Sequence, residues 1–325
     1  MPSSVVMTSP PGGSQPGLLR RLAGTLELIK ISHSVFALPF ALSAMLIAAH
    51  SIPGFWKADG FWTLGWIIWC LVSARTAAMA FNRWADWDYD AFNPRTTRRS
   101  QLGTRQLTWV LCLVALAVFV FGCSQLNFLC LVLCPVACLI ILGYSLTKRF
   151  TAYSHAFLGI ALAIAPVGAW AATTGSLASP LPWLLATAVW CWVFGFDLIY
   201  ATQDVEFDRQ AQLHSYPARH GVAAALRLAR QLHLYTLVIL LAFGWLAQLS
   251  LPYWLAMGLI FFSLIIEHIL CRSSDLAKIN VAFFQMNALV GLLLVIGVGA
   301  SLFWPAHPIL LMNGHVLIMP GGHFR

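Results

Sequence analysis

The sequence predicts an all-α polytopic membrane protein, and three observations carry that expectation. Hydrophobic residues make up 60% of the 325 and charged residues only 9%, against about 25% charged in ordinary soluble domains. A bilayer core about 30 Å thick needs roughly 20 mostly apolar residues per crossing, and apolar stretches of that kind recur along the chain with no soluble domain between them. The positive charges, finally, are distributed with a single bias, as the order of the elements shows.

The first 17 residues are rich in Ser, Pro and Gly and lack the apolar core of a signal peptide, so a disordered tail is expected over 1–17. A single transmembrane domain is expected over 18–303. Within it nine transmembrane helices fit, at roughly 34–50, 61–81, 107–124, 127–145, 155–174, 182–200, 234–249, 252–270 and 281–303. Segments 18–31 and 223–233 carry Arg and Leu at helical spacing and are expected to be interfacial amphipathic helices. A tail follows over 304–325, whose apolar run 309–319 is too short to span. With the N-terminus on the cytoplasmic side, 16 of the 19 Lys and Arg fall on that side, the exceptions being Lys57, Arg325 and Arg75, the last within a span. This is the positive-inside pattern, and it explains the net charge of +8 without nucleic acid. Eight cysteines form no CxxC pair, and Cys130, Cys134 and Cys138, one helical turn apart, read as small packing residues.

Acidic residues are few and concentrated. Seven of the eleven fall in Asn82-Arg-Trp-Ala-Asp86-Trp-Asp88-Tyr-Asp90 and Asp197-Leu-Ile-Tyr200-Ala-Thr-Gln-Asp204-Val-Glu206-Phe-Asp208. Both contain a polar–x₃–Asp–x₃–Asp core, Asn82/Asp86/Asp90 and Tyr200/Asp204/Asp208, and the two cores are 118 residues apart, as a duplicated four-helix unit would place them. Residues four apart share a helix face, so each segment aims two carboxylates at one point. Four carboxylates around one cavity repel one another unless cations neutralise them. Hard oxygen ligands with water access suit Mg²⁺, which binds through one or two carboxylates plus substrate phosphates; the expected ligand is a diphosphate held through Mg²⁺. Two solvated helix-capping loops are the plainer reading, but two matching cores in so acid-poor a chain, beside the membrane, argue for function.

Basic residues accompany the acids. The loop Asn93-Pro-Arg95-Thr-Thr-Arg98-Arg99 follows the first core, and Tyr144 and Lys148, four apart, end the fourth span on the same side. Both suit phosphate oxygens, with positive-inside topology as the simpler explanation. Arg75 lies two helical turns before Asn82 and deeper in the membrane. A cation there calls for an anion, either the carboxylate of an aromatic substrate or Asp197.

Asn82-x₃-Asp86-x₃-Asp90 with its Asn-Pro-Arg-Thr loop, and Asp197-x₂-Tyr200-x₃-Asp204-x₃-Asp208, resemble the UbiA-type intramembrane aromatic prenyltransferases. Ile31-Ser-His33-Ser-Val-Phe-Ala-Leu-Pro39-Phe, Met79-Ala-Phe-Asn82-Arg, Gln203-Asp-Val-Glu-Phe-Asp208-Arg and Leu213-His-Ser-Tyr-Pro217-Ala-Arg are most similar to the bacterial 4-hydroxybenzoate polyprenyltransferase branch. The likeness covers about residues 18–303. It implies nine helices around a central cavity, with both acidic motifs on cytoplasmic loops. Asp86, Asp90, Asp204 and Asp208, with Asn82, match the Mg²⁺–diphosphate positions; Tyr144 and Lys148 match a pair near the diphosphate. Tyr200, Arg95, Arg99 and Arg75 complete the expected substrate-binding set.

The implied reaction is transfer of a polyprenyl group from polyprenyl diphosphate to an aromatic acid. The first choice is 4-hydroxybenzoate, giving 3-polyprenyl-4-hydroxybenzoate for ubiquinone biosynthesis in a bacterial inner membrane, with no obligatory protein partner. Mg²⁺ would take up charge as the allylic C–O bond breaks. Phe81, Trp84, Trp87, Phe196 and Tyr200 are candidates to face the allylic cation, or else belong to an interfacial aromatic belt. One departure is the loop Arg99-Ser-Gln-Leu-Gly103, one residue shorter than the family's Arg-x-Leu-Pro-x-Gly and without its proline, which bears on how that loop closes. Because the motifs bind the donor, a naphthoate of menaquinone biosynthesis, a chlorophyllide or a haem stay open as acceptors. A divalent-cation transporter is the alternative of another class, though such proteins place ion sites near the bilayer midplane rather than at helix ends flanked by Arg.

Overall fold

The computed structural model describes residues 36–92, 96, 104–271, 282–304, 309–310 and 316–317. The segment 18–31 and the loop 99–103 lie outside the described residues.

The described chain is built of helices. They are α1 (Leu38–His50), α2 (Gly60–Ala85), α3 (Trp87–Phe92), α4 (Arg105–Leu126), α5 (Phe128–Thr147) and α6 (Ser154–Thr174), then α7 (Leu181–Ala201), α8 (Val205–Gln210), α9 (Tyr216–His220), α10 (Val222–Leu246), α11 (Leu251–Leu270) and α12 (Asn287–Phe303). Eight spans are long and apolar enough to cross a bilayer, and α1, with 13 residues, is a shorter apolar helix. The tail adds a two-residue antiparallel pair, Ile309–Leu310 with Val316–Leu317.

Local sequence explains the boundaries. Proline occupies the first turn of α1, α7 and α11, where its missing N–H costs nothing. Thr104 and Asn127 cap α4 and α5 by accepting from the Leu107 and Cys130 amides. Asn127 also donates to the Ala171 carbonyl, 2.8 Å away, tying the start of α5 to the end of α6.

Two expectations are corrected. Residues 223–233 are not a separate interfacial helix; they are the first turns of α10, which runs unbroken from Val222 to Leu246. Its amphipathic start continues because nothing between 223 and 246 interrupts the helix, while Gly221, at φ +86°, sets its entry. Neither acidic core is one continuous helix face either. α2 stops at Ala85, and α7 gives way to a 3₁₀ turn, Thr202–Asp204.

Leu139 and Phe128, 74% and 80% exposed, point outward, as lipid-facing side chains must. The centre is filled by Phe40, Met45, Trp192, Leu240 and Tyr253. Small residues allow close approach. A Cβ at Gly244 would lie 2.1 Å from the Tyr253 ring, so α10 and α11 pack only because that Cβ is absent. Buried polar residues also join the last three long helices. Glu267 of α11 accepts from Asn287 Nδ2 of α12 at 3.0 Å and lies 3.5 Å from His233 Nδ1 of α10, which contacts His268 at 3.1 Å. The eight cysteines are unpaired, seven of them buried, as packing residues should be.

Candidate active site

At one end of the bundle a cavity of about 290 Å³ opens between α2, α3, α5, α6, α7, α8 and the segment 213–215. Arg75, Asn82, Asp86, Asp90, Tyr144, Lys148, Tyr200, Asp204 and Asp208 all line it. Arg95 and Arg99 lie outside the described residues. The two acidic cores therefore meet in space, as their repeat in sequence suggested.

Each core reaches the cavity by the same backbone device. Asp86 follows α2 at φ −93°, ψ 8°, and the six-residue α3 comes next. Asp204 ends its 3₁₀ turn at φ −105°, ψ 6°, before the six-residue α8. Both middle aspartates occupy the bridge region, so each core turns at its centre, between a long helix and a short one.

A charged network holds the first core. Lys148 Nζ lies 2.7 Å from Asp86 Oδ2, and Asn82 Nδ2 donates to the same oxygen at 3.2 Å. Arg83 pairs with Asp90 at 2.5 Å and donates to Asn82 Oδ1 at 3.0 Å. Arg149 donates to the Ala85 carbonyl at 2.6 Å, a cation on the negative end of α2. Lys148 also accepts, through its own carbonyl, the His214 amide at 2.8 Å. The end of α5 thus touches the first core with its side chains and the segment after the second core with its backbone.

Arg75 stands deeper, seven residues before Asn82, about 10 Å along the helix axis at 1.5 Å per residue. It makes no ion pair among the described residues, and its Nε is buried without a hydrogen-bond partner. The pairing with Asp197 considered from sequence is not formed, because Asp197 Oδ2 is engaged by His155 Nδ1 at 2.6 Å.

The aromatic expectations need correction. Of the five side chains named, only Tyr200 lines the cavity. Trp84 stacks on Trp109 of α4 at 4.7 Å with Phe81 beside it, and Phe196 packs in the core against Trp192 at 4.9 Å. The cavity's other aromatic rings are Tyr89, Tyr144 and Phe207, and the Lys148 ammonium sits 5.9 Å from the Tyr89 centroid. The sequence reading missed Arg83, Tyr89 and His155 as cavity residues. The signal for His155 was available, since an ionisable residue entering a span is functional by default.

The donor set fits Mg²⁺. The four carboxylates of the two cores and the Asn82 carboxamide line one cavity, with Asp197 as a fifth carboxylate, and Asp86 Oδ1 is buried with no hydrogen-bond partner. No three His, Cys, Asp or Glu side chains among the described residues lie close enough to hold an ion by themselves.

Residues 37–289 match the UbiA prenyltransferase family. The 4-hydroxybenzoate octaprenyltransferase of Shewanella sediminis is 33% identical over 229 residues, which cover 68% of this chain and 75% of that one. Among solved structures, the apo UbiA homolog from Aeropyrum pernix K1 matches with a TM-score of 0.73 at 29% identity, over 83% of this chain and 98% of that one. A UbiA homolog from Archaeoglobus fulgidus bound to GPP and Mg²⁺ shares the fold, with a TM-score of 0.64 at 20% identity over 86% and 100% of the two chains.

Proposed function

This chain belongs to the UbiA prenyltransferase family, as an integral multi-pass membrane prenyltransferase, and from that premise we propose that it prenylates 4-hydroxybenzoate. A polyprenyl diphosphate is the donor, 3-polyprenyl-4-hydroxybenzoate and diphosphate are the products, and ubiquinone biosynthesis is the setting. The observation that carries this reading is the cavity's division of charge. Carboxylates cluster at its end, where a metal-bound diphosphate is neutralised, and Arg75 stands deeper with no ion pair among the described residues. The names of the curated relatives support the choice of acceptor.

Bound by Asp86, Asp90, Asp204 and Asp208 with Asn82, Mg²⁺ would supply Lewis-acid neutralisation of the leaving diphosphate. Lys148 and Tyr144 line the same cavity and in our reading face the phosphate oxygens, joined by Arg95 and Arg99. Arg75 orients the acceptor by its carboxylate, so that the ring carbon next to the phenol meets the allylic carbon of the donor. Tyr200 and Tyr89 present π faces to the cation formed there. The prenyl chain lies in lipid between helices. In our reading this end of the bundle faces the cytoplasm from a bacterial inner membrane, and the Lys and Arg asymmetry supports the orientation.

Membranes carrying the chain, given labelled polyprenyl diphosphate and a panel of aromatic acids, test the proposal directly. 4-Hydroxybenzoate should be the preferred acceptor. Arg75→Ala should raise the acceptor KM about tenfold to a hundredfold, the loss of a charge-assisted bond of about 1.5–3 kcal/mol, with the donor KM held. Product formed only from a naphthoate would overturn the acceptor assignment, and an unchanged acceptor KM would remove Arg75 from it.

A further inference from the structure

The cavity wall also carries a pair with no role so far. His155 stands at the start of α6 and Asp197 in α7, one turn before Tyr200, and both line the cavity. Their side chains meet at 2.6 Å between Nδ1 and Oδ2, with side-chain exposures of 7% and 20%. A carboxylate only accepts, so Nδ1 carries the hydrogen and Nε2 of the neutral ring keeps its lone pair. That Nε2 is buried with no hydrogen-bond partner. A buried acceptor without a donor carries a desolvation cost, and an imidazole fixed in one tautomer by a carboxylate is arranged as a general base.

We propose that His155 Nε2 is the catalytic base that takes the ring proton from the aromatic acceptor, with Asp197 as its positioning residue. The inference rests on prenyl transfer to an aromatic ring. In that reaction the allylic C–O bond breaks and its electron pair leaves on the diphosphate. A π pair of the ring forms the new C–C bond. The C–H bond at that carbon then breaks, its pair restores the aromatic ring, and the proton passes to Nε2. The imidazolium so formed lies against the Asp197 carboxylate and returns its proton to water.

The test is the kinetics of full-length enzyme in membranes, with acceptor carrying either hydrogen or deuterium at the substituted ring position. Wild type, limited by C–O cleavage, shows no isotope effect. In His155→Gln, kcat falls about 10²- to 10⁴-fold, the usual contribution of a general base, and a primary isotope effect emerges while the donor KM stays put. A wild-type kcat, or a reduced kcat with no isotope effect, overturns the base and reduces the pair to a brace between α6 and α7. If His155→Gln does not accumulate, Asp197→Asn, which keeps the imidazole, is read by the same criterion: a lowered kcat with an isotope effect supports the base and one without overturns it. Wild type that prenylates no ring overturns the function on which the inference stands, whereas normal wild-type transfer with unaffected variants overturns the inference alone.

Discussion

The two acidic cores share a backbone and differ in their counter-charges. In both, a long helix ends, an aspartate in the bridge region turns the chain, and a six-residue helix follows. In the first core the protein supplies the cations: Lys148 reaches Asp86 from α5, and Arg83 reaches Asp90 from within its own segment. In the second, Asp208 makes no ion pair among the described residues. Repetition of the motif has thus preserved where the carboxylates point, while the ion pairs among the described residues differ: Asp86 and Asp90 each have one and Asp208 has none.

Removing a carboxylate breaks this comparison most severely. Asp86→Asn and Asp204→Asn should each lower transfer by orders of magnitude with an unchanged helical CD spectrum, because either loss weakens the hold on metal and diphosphate together. Full turnover in excess EDTA would refute a shared metal role for the two cores. A milder pair of changes sharpens the contrast. Lys148→Met leaves the buried Asp86 without its cation and should destabilise the metal-free protein by about 1–3 kcal/mol. Asp208→Asn removes a buried carboxylate that forms no ion pair among the described residues and should leave the metal-free Tm unchanged or raised. Thermal unfolding in detergent with EDTA measures both, and equal losses in the two variants would erase the asymmetry. The smallest effect is expected at Asp88, which shares the first segment but stands outside the cavity. Its pair with Arg105 spans 3.4 Å with side chains 71% and 45% exposed, so Asp88→Asn should cost under about 1 kcal/mol and leave kcat within twofold in a steady-state assay.

Much of this was legible because charge is scarce in a membrane chain. With so few acids, the spacing Asn82/Asp86/Asp90 and its repeat at Tyr200/Asp204/Asp208 pointed to one site, and the cavity gathers every described residue of the nominated metal and substrate set, though not the other nominated aromatics. What stayed hidden depends on three-dimensional approach. Spacing of four implies one helix face, yet the chain turns at Asp86 and Asp204, and local composition does not reveal those turns. Trp84 and Phe196 sit beside the motifs in sequence but turn away from the cavity, because α4 and Trp192 offer them rings to pack on. The His155–Asp197 contact joins residues 42 apart on neighbouring helices, and no periodicity in either helix announces it. The length of α10 was misread because Arg227 and Arg230 gave its first turns an interfacial look while the helix itself continued into the span.

The polar contacts that join α10, α11 and α12 constrain the order in which the protein is made. Glu267 is fully buried in the finished bundle, and its two partners come from opposite sides of it in the chain: His233 precedes it by 34 residues and Asn287 follows it by 20. Synthesis delivers α11 before Asn287 exists. An ionisable side chain entering the hydrocarbon at a helix centre costs about 2.5–3.5 kcal/mol, and less near a helix end. Of the two described partners, His233 alone is already present during that interval. The clasp around Glu267 is therefore complete only once α12 has been made and supplies the Asn287 amide.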